Sequence, residues 1–288
     1  MTTATVVRDM ISILDAHAAE INTTDATVLN YWGFSYGSII GQTFASMFPG
    51  RVGRVVLDGV VDATDYSKGT LLNWLQSTDE AFSTFFTYCH LAGPSNCPFY
   101  TGTSPHDIFT RFDQIRSRLD VNSATEHGWA NASAIALALE GFKSYSFQQL
   151  YSPIAGFPKV AKLLAALEKI VETNVTMDAL KQLETEMDPD SDDSDDSAIE
   201  KQTAISCTDN GNAWYNKTLD EVIPHINMLE KQSYIGGVAL SKNVVVCTGW
   251  GITPEERYSG PFGGKTRAPM LFVRLTHVPS RQLAALIP

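Results

Sequence analysis

The segment Gly33-Phe-Ser35-Tyr-Gly37 holds the residues best suited to catalysis, because it places a serine between two glycines at the spacing G-x-S-x-G. In that spacing the serine occupies a turn so sharp that its side chain projects above a sheet, exposed to a base and a substrate. Side chains at the glycine positions would clash where strand and helix approach each other. The N–H of Tyr36 points to where an oxyanion would form. The segment therefore predicts Ser35 as a nucleophile.

The residues around this segment strengthen the prediction. A chance match to G-x-S-x-G is expected about 0.1 times in a chain of this length. Here the β-forming residues 27–32 lead into Gly33, and apolar residues at helical spacing follow Ser35. This order favours a catalytic turn over the alternative interpretation, in which small residues merely pack a helix against a sheet.

A nucleophilic serine also needs a general base and an acid that orients it, in the chain order serine, acid, histidine. His277 is a candidate base, although it lies where the acid is expected, and no Asp or Glu occurs from Arg267 to the end. Asp58 and Asp62 are alternative acids or, equally, residues that cap a loop. The other histidines are predicted to be surface or core residues: His17, His90, His106, His127 and His225. The base stays unassigned.

The elements that position Ser35 follow from apolar periodicity. An amphipathic helix is predicted from Val6 to about Ala18, and a second one runs from Ile39 to Met47, before Pro49. Residues 27–32 and 54–58 are predicted to be strands, the latter a buried parallel strand by its composition. Helix, strand, turn, helix and strand in this order imply a parallel sheet with crossover helices, and hence the α/β class.

Three domains are predicted. Residues 1–62 form a core with the catalytic turn, residues 63–262 a mostly helical cap, and residues 263–288 the last core strand with an unusual C-terminal tail. The clearest cap helix covers residues 161–170, and the acidic run 188–196 is predicted to be a solvated loop. A further buried strand is predicted over residues 269–273. The predicted fold is thus an incomplete parallel sheet interrupted by a large helical insertion.

Composition excludes several classes of partner. Net charge is −11, which argues against nucleic acid and anionic membranes as partners. No apolar run reaches the roughly 18 residues of a membrane span. The sequence contains no metal-ligand cluster, no dinucleotide fingerprint and no phosphate-binding glycine loop, so we expect no cofactor and no metal.

The cysteines and glycosylation sequons indicate an oxidising compartment. Four cysteines, Cys89, Cys97, Cys207 and Cys247, are compatible with two disulfides, although spacing alone does not establish their pairing and buried thiols are the alternative. Four N-x-S/T sequons are candidate glycosylation sites: Asn22, Asn131, Asn174 and Asn216. Together they favour a secreted or vacuolar compartment. The first ten residues lack the pattern of a signal peptide, so either the protein is cytosolic or Met1 is not the native start, and the predicted chemistry favours the second.

Several segments resemble the tripeptidyl-aminopeptidase-like branch of the α/β-hydrolases, close to the prolyl-aminopeptidase family of serine peptidases. The resemblance covers about residues 4–273 and is specific around the catalytic turn. The segments that carry it are residues 31–38, 44–62, 82–86, 204–209, 247–250 and 265–273, together with Cys89 and Cys97.

This resemblance implies an α/β-hydrolase core with Ser35 as nucleophile and the Tyr36 N–H in the oxyanion hole. It also implies a helical cap that selects short peptides or small esters and amides, and secreted homologues. The family carries several strands and a glycine-rich oxyanion loop before the first helix, and an acid and a histidine after the last strand. Here residues 275–280 stand in the acid's place. We therefore expect a chain truncated at both ends, with impaired activity and unpaired sheet edges.

Three functions are open on these grounds. The first is a serine peptidase that releases short peptides or residues from peptide N-termini through an acyl-enzyme on Ser35. The second is a non-catalytic binding protein that keeps the cap and lacks the base. The third is an esterase or lipase with the same catalytic turn.

Overall fold

The computed structural model describes residues 2–23, 27–119, 132–173, 176–187 and 196–274. The chain divides into two compact units. The sheet unit comprises Met1–Trp74, Asp195–Asn227 and Lys242–Pro288, and the helical unit comprises Leu75–Ser194 and Met228–Ser241. In chain order the elements are α1 (Thr3–Glu20), β1 (Leu29–Phe34), α2 (Tyr36–Met47), β2 (Val52–Asp58), α3 (Ala63–Lys68), α4 (Thr78–Ala92), α5 (Pro105–Arg118), α6 (Ala132–Gln149), α7 (Pro153–Thr173), α8 (Met177–Met187), α9 (Asp196–Asp209), α10 (Leu219–Gln232), α11 (Gly237–Thr248) and β3 (Met270–Val273).

Within the described residues, the sheet has three parallel strands in the order β1-β2-β3. Trp32 lies opposite Val56, and Val56 lies opposite Leu271; the register of β1 with β2 shifts once, between Leu29 and Tyr31. The predicted strands and the two predicted helices that flank β1 are therefore present. A mostly helical chain with a small parallel sheet fits the predicted α/β class.

One face of the sheet, here called the inner face, packs against α1 and α2. Alternate residues along a strand point to opposite faces, and Leu29, Val55 and Leu57 from one set are buried with Val7 of α1 and Phe44 of α2. The crossover from β1 through α2 to β2 covers this face, because parallel neighbours need a connection of a dozen or more residues.

The opposite face, here called the outer face, carries large apolar side chains in contact with water. Trp32 is 63% exposed, Phe34 58% and Leu271 58%, and the Trp32 and Phe34 rings stack with centroids 5.2 Å apart. The prediction that β3 is a buried strand is therefore wrong for this chain. An apolar parallel strand is expected to be covered on both faces of its sheet. Here α1 and α2 both contribute to the core on the inner face, and the outer face stays exposed.

The sheet unit also contains α3, α9 and a disulfide. Cys207 of α9 is joined to Cys247 of α11, with 40 residues between them in sequence and a Cα–Cα distance of 5.3 Å. Asp62 accepts hydrogen bonds from the N–H groups of Thr64 and Asp65, both at 3.0 Å, and so caps α3.

In the helical unit, phenylalanine side chains from several helices form the core. Phe85, only 1% exposed, contacts the rings of Phe82, Phe86, Phe99 and Phe157 at centroid distances of 5.5–6.5 Å. A second disulfide joins Cys89, near the end of α4, to Cys97 at a Cα–Cα distance of 5.4 Å. The predicted helix over residues 161–170 lies inside α7.

In the part of the chain that the structure describes, no helix combines the length and apolarity that crossing a membrane requires. The predicted division into core, cap and tail at residues 62 and 262 stays a prediction beside the two structural units. Residues 188–195 of the acidic run and the tail from residue 275 lie outside the described residues.

Candidate active site

Ser35 occupies the junction between β1 and α2 in a strained backbone conformation. Its φ is +52° and its ψ is −117°, and a positive φ is uncommon for a residue other than glycine. Ser35 N donates to Asp58 O at 3.0 Å, and Ser35 O accepts from both Ser38 N at 2.8 Å and Ser38 Oγ at 2.7 Å. The surrounding hydrogen bonds therefore hold Ser35 in the strained turn, with its side chain exposed.

The flanking glycines permit a close approach of strand and helix. A Cβ built on Gly33 would lie 2.5 Å from the carbonyl oxygen of Gly37, and one on Gly37 would lie 3.0 Å from Tyr31 Oη. Tyr31 Oη itself donates to Gly37 O at 2.9 Å. The contact at Gly33 is with backbone atoms, which cannot move aside as a flexible side chain can, so any side chain is excluded at Gly33.

A serine and a glutamine, which sequence reasoning missed, fasten the loop after β2 to α2. Val61 N donates to Ser38 Oγ at 3.0 Å, and Gln42 Nε2 donates to Val61 O at 2.8 Å. Ser38 Oγ thus accepts from the loop and donates to Ser35 O. These two hydrogen bonds link the loop after β2 to the turn at Ser35.

The side chain of Tyr36 enters a buried polar network. Tyr36 Oη lies 2.6 Å from Thr3 Oγ1, and Thr3 Oγ1 donates to Asp209 Oδ2 at 2.5 Å. Asp209 also accepts from Thr3 N at 2.7 Å and from Tyr66 Oη at 2.9 Å. Sequence reasoning placed Asp209 only in a segment that resembles a family, and no sequence signal marked Thr3.

Burial raises the pKa values of two groups in this network. Burial raises the pKa of the Asp209 carboxyl above its usual value, although the hydrogen bonds from Thr3 and Tyr66 oppose the rise. Burial, with a smaller contribution from the Asp209 charge, raises the pKa of Tyr36 to about 12. Tyr36 is therefore a neutral phenol that can donate a hydrogen bond at neutral pH.

The backbone N–H of Tyr36 is suited to bind an anion beside Ser35. Tyr36 is the first residue of α2, and the first N–H groups of a helix have no intrahelical acceptor. The positive end of the helix dipole lies at the same place. A negative oxygen that develops next to Ser35 would meet both, which is the chemistry of an oxyanion hole.

The acid and base of the predicted triad are not brought to Ser35 within the described residues, where Ser35 Oγ has no hydrogen-bond partner. Asp62 caps α3, as the alternative interpretation allowed, and Asp58 contributes its carbonyl oxygen to Ser35 N. His277 and His127 lie outside the described residues.

The remaining histidines are exposed or lie beside an aromatic ring. His17 is exposed near the end of α1, and His225 lies 4.6 Å from Trp214 in the sheet unit. In the helical unit His90 stacks on Tyr100 and His106 stacks on Phe109. These positions agree with the expectation from the sequence.

Two of the four candidate glycosylation sites lie in the described part of the chain. Asn22 and Asn216 are both exposed, which suits a surface acceptor, and glycosylation stays a prediction. Asn131 and Asn174 lie outside the described residues. Over the described ranges, no group of three or more His, Cys, Asp or Glu side chains is arranged to hold a metal ion.

Comparison with known proteins gives a partial match. No family model matches the sequence. The serine protease Hip1 of Mycobacterium bovis and of Mycobacterium tuberculosis aligns with 70 residues of this chain at 36% identity. The aligned residues make up 24% of this chain and 13% of the relative, so the match spans about an eighth of the curated proteins' length. The similarity supports a serine-peptidase-like relationship.

Proposed function

We propose that this chain is a serine hydrolase of the α/β-hydrolase fold, of peptidase type, with Ser35 as its nucleophile. Short peptides, or small esters and amides, are the proposed substrates. Release of short peptides or single residues from peptide N-termini is the proposed specificity, as in the tripeptidyl-aminopeptidase-like branch that the sequence resembles. The partial similarity to a serine protease supports the reaction class.

The backbone of Ser35 carries this proposal. An exposed serine at φ +52°, between a parallel strand and the helix that follows it, is held in place by hydrogen bonds from both sides. A side chain is excluded at Gly33. A serine that only packed a helix onto a sheet would need neither the strain nor the exposure.

The proposed reaction proceeds through an acyl-enzyme. Ser35 Oγ loses its proton to a base as it attacks the carbonyl carbon, and the carbonyl oxygen becomes an oxyanion that accepts from the Tyr36 N–H. The C–N or C–O bond then breaks, and the leaving group takes up the proton. In the second step, water attacks the acyl-serine, which releases the carboxylic acid product and restores the Ser35 hydroxyl. The identities of the base and its acid partner, including His277, stay predictions.

The cysteines support an oxidising location. Both disulfides are buried and join residues close in space, and such bonds persist mainly in secreted proteins and in secretory compartments. We therefore propose a secreted or vacuolar protein.

Covalent labelling with an alkyl fluorophosphonate tests the proposal. The chain should gain one phosphonyl group, and peptide mass spectrometry should place it on Ser35. Ser35→Ala should abolish the label, whereas Ser12→Ala, which removes an exposed hydroxyl from α1, should leave it unchanged. A label on another residue, or none, would contradict a nucleophilic Ser35. Relative rates on matched peptide, amide and ester substrates then separate a peptidase from an esterase.

A binding protein without catalysis is the second candidate. It would keep the helical cap for peptide binding and lack a base for Ser35. Calorimetric binding of a short peptide by a chain that takes up no phosphonate would support this candidate over the first.

A further inference from the structure

Asp209 is a buried carboxylate that the proposed reaction does not use. It is the last residue of α9 and only 6% exposed, and an unpaired charge at such a depth would be costly. Its two oxygens accept three hydrogen bonds, two from Thr3 and one from Tyr66. All of these residues belong to the sheet unit.

The direction of the hydrogen bonds follows from the number of protons. When Asp209 is ionised its carboxylate only accepts, so the Thr3 hydroxyl gives its single proton to Asp209. Thr3 Oγ1 is then left with lone pairs, and Tyr36 Oη at 2.6 Å must be the donor to it. The chain therefore runs from Tyr36 to Thr3 to Asp209 in one direction only.

We propose that Asp209 is a positioning residue for the catalytic turn: through Thr3 it anchors the Tyr36 side chain and thereby orients the Tyr36 N–H beside Ser35. The inference rests on the proposed function for its catalytic consequence, and on the geometry of the network for the positioning itself.

Anchoring at this point has a direct effect on the turn. Tyr36 follows the strained Ser35 immediately, so rotation of its backbone would move both the oxyanion donor and the serine. The Tyr36 ring is fixed at its far end by Thr3, on the first turn of α1, while Ser38 holds the carbonyl of Ser35 from the other side. Small errors in the placement of reacting groups cost large factors in rate.

Tyr66 supplies an internal control. It donates to the same oxygen of Asp209 at 2.9 Å, yet it has no part in the chain of hydrogen bonds that leads to Tyr36. Loss of its hydroxyl removes one bond from the carboxylate and leaves the path through Thr3 intact. A merely structural role for Asp209 predicts equal effects from the loss of either donor.

The experiment compares rates of fluorophosphonate labelling for Thr3→Val, Thr3→Ser, Asp209→Asn and Tyr66→Phe with the unmodified chain. Thr3→Val should slow labelling about tenfold because it keeps the shape and removes the hydroxyl. Thr3→Ser restores the hydroxyl and should stay within about twofold. Asp209→Asn should also slow labelling about tenfold, because an amide N–H₂ group in place of Oδ2 cannot accept from the Thr3 and Tyr66 hydroxyls, which both donate to that oxygen. Tyr66→Phe should stay within about twofold.

Nuclear magnetic resonance of the Tyr36 amide gives a second reading that does not depend on catalysis. Its chemical shift should move in Thr3→Val and Asp209→Asn and stay in place in Thr3→Ser and Tyr66→Phe. Equal labelling rates in Thr3→Val and the unmodified chain would overturn the inference while the proposed function stands. If the unmodified chain takes up no label, the proposed function fails, and the amide shifts alone decide whether Asp209 positions Tyr36.

Discussion

In the helical unit, phenylalanine rings fill the core and pack against one another, whereas the sheet unit divides its interior between a small apolar cluster and the buried polar groups around Asp209. The helical core buries Phe82, Phe85, Phe86, Phe99, Phe112, Phe142 and Phe157. The sheet unit instead leaves Trp32 and Phe34 in contact with water.

The two units therefore differ in which mutations should destabilise them. A core of interlocking rings loses stability in proportion to the volume removed, because the cavity that remains is not refilled. A close approach of backbones, such as that between Gly33 and Gly37, fails when volume is added. The helical unit should therefore be destabilised most by the removal of side-chain volume, and the sheet unit by its addition at Gly33.

The largest effect is expected for Phe85→Ala in the helical unit. Loss of a fully buried ring should lower the free energy of unfolding by about 4 kcal/mol, as measured by urea denaturation. Phe109→Ala, which removes a ring that is 40% exposed, should cost clearly less. Hydrogen exchange followed by mass spectrometry should show lost protection in residues 78–119 and retained protection in β1 and β2. Equal losses in both places would show that the two units do not lose stability separately.

A somewhat smaller effect is expected for Gly33→Ala in the sheet unit. The new methyl group would meet the Gly37 backbone at 2.5 Å, and we expect a loss of about 3 kcal/mol. Gly50→Ala is the matched control, because a Cβ there has no neighbour within 4 Å, and its unfolding curve should not change. A stable Gly33→Ala protein would show that strand and helix are not in such close contact in solution.

The smallest effects are expected at the ion pairs, again with a difference between the units. Arg111 pairs with Glu168 in the helical unit with both side chains about one quarter exposed, and its guanidinium also lies 4.4 Å from the centre of the Phe99 ring. Arg8 and Glu256 in the sheet unit are more exposed. We expect Glu168→Gln to cost about 1 kcal/mol and Glu256→Gln about 0.3 kcal/mol. Thermal unfolding at low and high salt would measure the difference between the two ion pairs, since only the exposed pair should be largely screened.

The local structure of the turn at Ser35 could be predicted from the sequence. Strand, turn and helix around Ser35 are contiguous in sequence. The strand and the helix are marked by their apolar patterns and the turn by its glycine spacing, so residues 27–58 were sufficient to predict the order of these elements. The same reasoning found β3 from four apolar residues.

The contacts between distant segments could not be predicted. Thr3 and Asp209 are 206 residues apart in sequence, and neither residue type alone distinguishes a buried network from a surface cap. The exposure of Leu271 was also missed, since apolar composition states what a strand would bury and not whether something covers it. A base for the proposed nucleophile stays unassigned, because no histidine pattern in the sequence singles one out.

Trp32 turns the outer face of the sheet into an optical signal. An indole ring that is 63% exposed emits at longer wavelength than a buried one and is open to collisional quenchers. A chain in which Phe replaces Trp74, Trp129, Trp214 and Trp250 would report on this face alone. The emission of this variant would move to shorter wavelength whenever another molecule covered the ring, so Trp32 fluorescence would measure whether the outer face is exposed to solvent.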